Sequence, residues 1–136
     1  MTDVQISTAF AFRMLGIPYI WAGQSLDGVD CSGCLQLVLA ASGHDPRNDQ
    51  SAQALFNVFK SKRVTTPCEG AVVFYGKDTK HIAHVCYCIS NARMIGACGG
   101  DSTCTTVAIA RAKNAEVKIG LINYRTDIVA YVYPFV

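Results

Sequence analysis

The apolar residues change period once along this chain, and that change limits the possible folds more than any other feature. From residue 3 to residue 59 they recur at helical spacing: Val4, Ile6, Phe10, Met14 and Leu15, then Leu35, Val38 and Leu39, then Ala52, Leu55, Val58 and Phe59. From Gly70 onward they come in short β-branched and aromatic runs at 70–76, 84–89, 93–97, 105–109, 117–124 and 128–133. Helices first and strands afterwards predict an α+β fold with an antiparallel sheet, not a doubly wound one. The punctuation agrees. Thr2 or Asp3 can cap the first helix and Gly16 can stop it; Gly43 can stop the second, and Asp49 can cap the third. Between the first two helices, Ile17 to Gly23 reads as extended, because Pro18 and the rings of Tyr19 and Trp21 disfavour a helix, and Gly23 to Gly28 reads as a loop. Trp21 is expected in the core.

At 136 residues, 51% hydrophobic and 16% charged, the chain reads as a single domain over 1–136 with enough apolar surface for a proper core. A net charge of +2, without a block of like charge, gives no electrostatic case for nucleic acid or an anionic membrane. No apolar run approaches a spanning helix, and Met1-Thr2-Asp3 lacks the basic-then-apolar layout of a signal peptide, so synthesis in the cytoplasm is expected.

The seven cysteines, 31, 34, 68, 86, 88, 98 and 104, are an odd number and fall below the roughly 8–10% that marks disulfide scaffolds. Most read as small buried thiols. Cys31-x-x-Cys34 and Cys86-x-Cys88 resemble half-sites for zinc, but structural zinc favours knuckles on turns, and Cys86 and Cys88 lie in an unbroken strand-like run. No metal or cofactor is expected. A thioredoxin-like pair at Cys31 and Cys34 would need a preceding βαβ pattern, which is absent; a disulfide between them that silences Cys31 is a further alternative.

One cysteine stands apart. Val29-Asp30-Cys31-Ser32-Gly33-Cys34 leads at once into the apolar run 35–41, which puts Cys31 at a helix start. There the unpaired backbone N–H groups and the positive end of the helix dipole favour thiolate over thiol. Such a nucleophile needs a base, and the histidines are His44, His81 and His84. His84 opens a strand, a rigid support, whereas His81 falls in the preceding turn and His44 just past a helix stop. The same strand carries Cys86 and Cys88, small residues expected to let the Cys31 helix pack close.

Taken together, Pro18-Tyr19-Ile20-Trp21-Ala22-Gly23, Gly28-Val29-Asp30-Cys31-Ser32-Gly33, the Pro67-x-x-Gly70 step and His84-Val85 resemble the NlpC superfamily of papain-like cell-wall cysteine peptidases. The compact layout, with 49–55 after the helix and Ile122-Asn123-Tyr124-Arg125 near the end, is similar to stand-alone peptidases of phage tails and phage-like particles. The resemblance implies N-terminal helices packed on a central antiparallel sheet, and cleavage of peptidoglycan stem peptides between D-glutamate and a diamino acid. It implies Cys31 as nucleophile, His84 as general base and acid, and Tyr19 as a hydroxyl donor near the oxyanion or substrate. Asp30 and Ser32 line the site, with Asp30 available to a substrate ammonium.

The resemblance fails at one position. The family's third residue, commonly a histidine, lies twelve places beyond the base, and here that place is Gly96. Glycine has no side chain with which to orient an imidazole, so Asp101 or Ser102 in the following loop is expected to substitute, with a backbone carbonyl or water as alternatives. Two rival functions follow: a non-catalytic or weakly active phage tail or particle assembly module of the same fold, or a related amidase or acyltransferase.

Overall fold

The computed structural model describes residues 1–136. Helix α1 (Asp3–Arg13) starts with a capping box in which Thr2 Oγ1 accepts the Gln5 amide at 3.1 Å and Gln5 Oε1 accepts the Thr2 amide at 2.9 Å. The chain then crosses in extended form and makes a short hairpin, β1 (Gln24–Ser25) and β2 (Gly28–Val29), where an open loop was expected. Helix α2 (Cys31–Ala40) buries Leu35, Val38 and Leu39 as its spacing predicts. Ser7 joins the first two helices, its buried hydroxyl donating to the Val38 carbonyl at 2.7 Å. Helix α3 (Ala52–Phe59) is capped by Ser51, whose Oγ accepts the Ala54 amide at 3.1 Å; Asp49 does not cap it. Ala52, Leu55, Phe56 and Phe59 face the core, and Val58 points to solvent.

Six strands follow: β3 (Arg63–Val64), β4 (Val72–Gly76), β5 (Ile82–Cys88), β6 (Arg93–Cys98), β7 (Glu116–Leu121) and β8 (Ile128–Val132). They form one antiparallel sheet in the order β3-β8-β4-β5-β6-β7. The expected α+β architecture, N-terminal helices on a central antiparallel sheet, is what the chain adopts. The run 105–109 is not a strand. Thr106 accepts the Ile109 amide at 3.2 Å and caps a short helix, α4 (Val107–Ala112), so a local cap overrides the β-branched composition.

The two faces of the sheet are packed differently. One face presents Val72, Phe74, Val85, Tyr87, Ile95 and Ala97 to the helices, and Phe74 meets Phe56 edge-on with ring centroids 5.3 Å apart. The other carries a smaller core of Ala71, Val73, Tyr75, Cys86, Cys88, Met94, Cys98 and Ile122. Cys86 and Cys88 therefore turn away from α2, contrary to expectation. Strand alternation places them together but does not say which side the helices take, and the bulkier Val85 and Tyr87 are what the helices cover, the Tyr87 hydroxyl meeting Thr8 of α1 at 2.9 Å.

The start of α2 is seated by close backbone contact. Asp30 is its N-cap: Oδ1 accepts the Gly33 amide at 2.7 Å and the Ser32 hydroxyl at 3.1 Å, while Oδ2 accepts the Ala22 amide at 3.1 Å. A methyl on Gly33 would stand 2.1 Å from the Gly23 carbonyl oxygen, a backbone atom unable to yield as a side chain does. Gly33→Ala is therefore expected to cost about 1–3 kcal/mol, read as a lower urea midpoint with unchanged slope.

Candidate active site

Cys31 is the first residue of α2 and half-buried; His84 is the third residue of β5 and only 7% exposed. Cys31 and His84 line the same cavity. His44 and His81 lie elsewhere, paired with Asp3 and Asp78. The structure thus brings together the cysteine and the histidine that the sequence singled out.

On its Nε2 side His84 meets three further groups. The Tyr124 hydroxyl lies at 2.8 Å, the Cys86 sulfur at 3.2 Å and the Cys98 sulfur at 3.9 Å. The β5–β6 register explains the sulfurs. It pairs Tyr87 with Ile95 and Cys88 with Met94, and its continuation sets Cys86 against Gly96 and His84 against Cys98 on one face. Burial opposes a charge on His84, but Cys31 and Cys98, as acceptors for the protonated ring, outweigh it and raise the imidazole pKa to about 9. Cys86 and His84 beside it hold Cys98 far below the ordinary thiol range, while burial pushes the Cys86 thiol up. These opposite directions favour positive charge on His84 and negative charge on Cys98.

The third group differs from expectation. Asp101 and Ser102 border the same cleft, but neither bonds to His84: Asp101 accepts the Thr103 amide at 2.9 Å and Lys113 Nζ at 3.1 Å, and Ser102 is exposed. The position at Nε2 belongs to Tyr124, carried by a 3₁₀ turn, Ile122–Tyr124, that follows β7. Tyr75 holds that turn by donating its hydroxyl to the Ile122 carbonyl at 2.7 Å and packing edge-on against the Tyr124 ring. Gly96 is accounted for as well. A Cβ there would lie 2.5 Å from the Cys86 sulfur, so Cys86 fills the space a side chain at 96 would enter.

Two cavities, of 340 and 460 Å³, meet at Tyr19, Trp21, Cys31 and Ala83 and form a continuous groove. The first runs past Asp30, Ser32, Asp49 and Gln50; the second past His84, Gly100, Tyr124 and Arg125. Tyr19 is buried, and Gly100 lies so near that a Cβ would stand 2.2 Å from its ring. Burial, then Cys31 and Asp30, push the Tyr19 phenol above its ordinary range, so it remains a neutral hydroxyl. Trp21, expected in the core, is half-exposed on the rim of both cavities. Asp30 and Ser32 border the groove, although the Asp30 oxygens already serve the cap. Burial, followed by the neighbouring Cys31, pushes the Cys34 thiol up to about 12, which keeps it out of thiolate exchange.

Residues 16–119 match the family model described as NlpC/P60. The chain belongs to the NlpC/P60 family. Its fold is similar to an NlpC/P60 family protein from Bacillus cereus ATCC 10987, with a TM-score of 0.75, 20% identity, and coverage of 98% of this chain and 40% of that one. It is similar also to the peptidoglycan hydrolase RipB from Mycobacterium tuberculosis, with a TM-score of 0.74, 20% identity, and coverage of 98% and 65%. A third is RipD from M. tuberculosis, described as a non-catalytic NlpC/p60 domain protein adapted to peptidoglycan binding, with a TM-score of 0.68, 17% identity, and coverage of 98% and 97%. The chain thus spans less than two thirds of the B. cereus protein and of RipB, and the family includes both hydrolases and a binding protein.

The imidazolium predicts a pH dependence. Because the folded pKa, about 9, exceeds the ordinary 6.5, protonation of His84 contributes stability that is complete below pH 6.5 and lost as pH rises through 9. NMR titration of the His84 ring is expected to give a midpoint near 9, and Cys98→Ala is expected to lower it. An unchanged midpoint in that variant would remove Cys98 as a cause.

Proposed function

We propose that this chain is a cysteine endopeptidase of peptidoglycan stem peptides, cleaving the bond between D-glutamate and a diamino acid. The observation that carries the reading is Cys31 at the start of α2, beside a buried His84 whose far nitrogen is held by Tyr124. The neutral form of His84, the minor one below pH 9, takes the Cys31 proton, and the thiolate attacks the carbonyl. The amide groups of Cys31 and Ser32 precede the first intrahelical bond, from the Cys34 amide to the Asp30 carbonyl, and serve the oxyanion together with the Tyr19 hydroxyl. His84 then protonates the leaving amine, and water releases the acyl group from sulfur. Asp49, which makes no side-chain bond, and Asp30 give the smaller cavity a negative wall suited to the ammonium of a diamino acid. Synthesis in the cytoplasm and delivery by a phage or phage-like particle belong to the same proposal.

A second reading has a specific support. The partner of His84 Nε2 is a neutral phenol rather than an imidazole, and RipD keeps this fold as a non-catalytic protein. Digestion of defined muropeptides separates the two. Cleavage by the native chain, abolished in Cys31→Ala with the circular dichroism spectrum retained, is the expected outcome. Uncleaved muropeptide that is nevertheless retained by the protein would favour the binding module. Cleavage of a different amide, or transfer of the acyl group to an acceptor other than water, would favour an amidase or acyltransferase. Tyr124→Phe is expected to lower kcat/KM by about 10- to 100-fold, the worth of one hydrogen bond to a charged group.

A further inference from the structure

The second face of the sheet gathers donors around the His84 nitrogen that is turned away from Cys31. His84 Nε2, Cys86 Sγ and Cys98 Sγ all lie within 4.8 Å of one another, and all three residues are buried. The Tyr124 hydroxyl joins them at 2.8 Å from the nitrogen and 3.5 Å from the Cys98 sulfur. We propose that His84, Cys86 and Cys98 form a binding site for one thiophilic divalent cation of the zinc class, its fourth position open to water, and that its occupancy disables the base beside Cys31.

The distances suit such an ion. Tetrahedral zinc, with bonds of about 2.0–2.1 Å to nitrogen or oxygen and about 2.3 Å to sulfur, sets neighbouring donors roughly 3.3–3.8 Å apart. The nitrogen–sulfur separations here, 3.2 and 3.9 Å, bracket that range, so the ion fits between the side chains with small rotations. Two sulfurs and an imidazole select zinc or its soft neighbours over magnesium and calcium. Access is through the larger cavity, whose wall includes His84, Ala97, Tyr124 and Arg125. The strand pairing fixes the arrangement, since Cys86 and Cys98 lie diagonally across β5 and β6 and Gly96 gives Cys86 its room. The ligand set thus differs from the half-sites Cys31-x-x-Cys34 and Cys86-x-Cys88.

The consequence for His84 is a matter of proton placement, and it rests on the peptidase reading above. On binding, the ion takes the Cys98 thiolate, displaces the Cys86 thiol proton and the Nε2 proton of His84 to water, and occupies the freed Nε2 lone pair. A neutral imidazole ligated through one nitrogen carries its only proton on the other. His84 then has no lone pair with which to accept a proton from Cys31.

The test starts with cobalt(II), added to the full chain under reducing conditions without chelator, and then displaced by zinc(II). One equivalent is expected, with a thiolate-to-cobalt charge-transfer band and the ligand-field bands of a tetrahedral site. The bands persist in Cys31→Ala and are lost, with binding weakened at least about 100-fold, in Cys98→Ala. Should that variant misfold by circular dichroism, alkylation mapping of the native chain supplies the answer, since zinc should protect Cys86 and Cys98 together. Zinc should also slow Cys31 alkylation by iodoacetamide at least about tenfold, reversed by EDTA. Absence of a stoichiometric band, or a band that needs Cys31, overturns the site. A normal Cys31 rate in the zinc-loaded chain overturns the switch. Neither readout requires turnover, so an intact cobalt site in a chain that cleaves no muropeptide overturns only the peptidase.

Discussion

The Asp30 carboxylate is the point on which the rest of the groove depends. It accepts from the Gly33 amide and the Ser32 hydroxyl with one oxygen and from the Ala22 amide with the other. The first pair fixes the first turn of α2, and with it the direction of the Cys31 side chain. The third bond fastens the preceding segment to the same helix end, although Ala22 must adopt φ +63°, a left-handed conformation that costs a residue with a Cβ about 1–2 kcal/mol. A charge-assisted hydrogen bond at a helix N-terminus is strong enough to offset that strain. Tyr19 and Trp21 thereby come to flank the thiol. One carboxylate sets nucleophile and groove wall together, and so its oxygens are mostly committed before any substrate arrives.

The parts of the site legible in the sequence are those set by local rules. A cysteine following an Asp and preceding an apolar helix is at a helix start wherever the helix packs, and His84 sits on a strand because it opens an unbroken apolar run rich in β-branched and aromatic residues. Tyr124 was invisible as a partner because forty residues, including strands β6 and β7, separate it from His84; only the crossing from β7 to β8, and the Tyr75 bond to Ile122, bring it back. Asp101 and Ser102 were the near choices along the chain, but Lys113 and Thr103 were equally near and take Asp101 for themselves. The burial of Cys86 and Cys88 was legible, whereas the side they face was not, because strand parity fixes relative and not absolute orientation. The cap at Thr106 was readable and was masked by the β-branched residues around it.

Gly96 and Cys86 read best as one feature. They lie opposite each other in the β5–β6 ladder, and the sulfur of one occupies the space in front of the other. A larger residue at 96 requires a smaller one at 86, so the imidazole partner that the family places at 96 is excluded here by packing. The sheet face then supplies orientation by other means. Tyr124 accepts from or donates to Nε2 as a neutral group, and the Cys98 thiolate supplies the negative charge.

That division of labour bears on how the imidazole would act in the proposed peptidase reaction, which the following steps assume. When the Tyr124 hydroxyl accepts the Nε2 proton, the remaining lone pair of neutral His84 is on Nδ1, free for the proton of Cys31. Once that proton has moved, the imidazolium is stabilised by Cys98 on one side and the Cys31 thiolate on the other. A charge of this kind, buried and doubly paired, favours forming the attacking thiolate. It also holds the proton more firmly when the leaving amine needs it, because an acid of pKa about 9 donates less readily than one near 7. The thiolate across the sheet therefore shifts the balance of the two proton transfers toward the first. Approach of the substrate carbonyl, which draws negative charge from Cys31 onto the oxyanion, removes one of the two stabilising partners and lowers the barrier to the second transfer as the reaction proceeds.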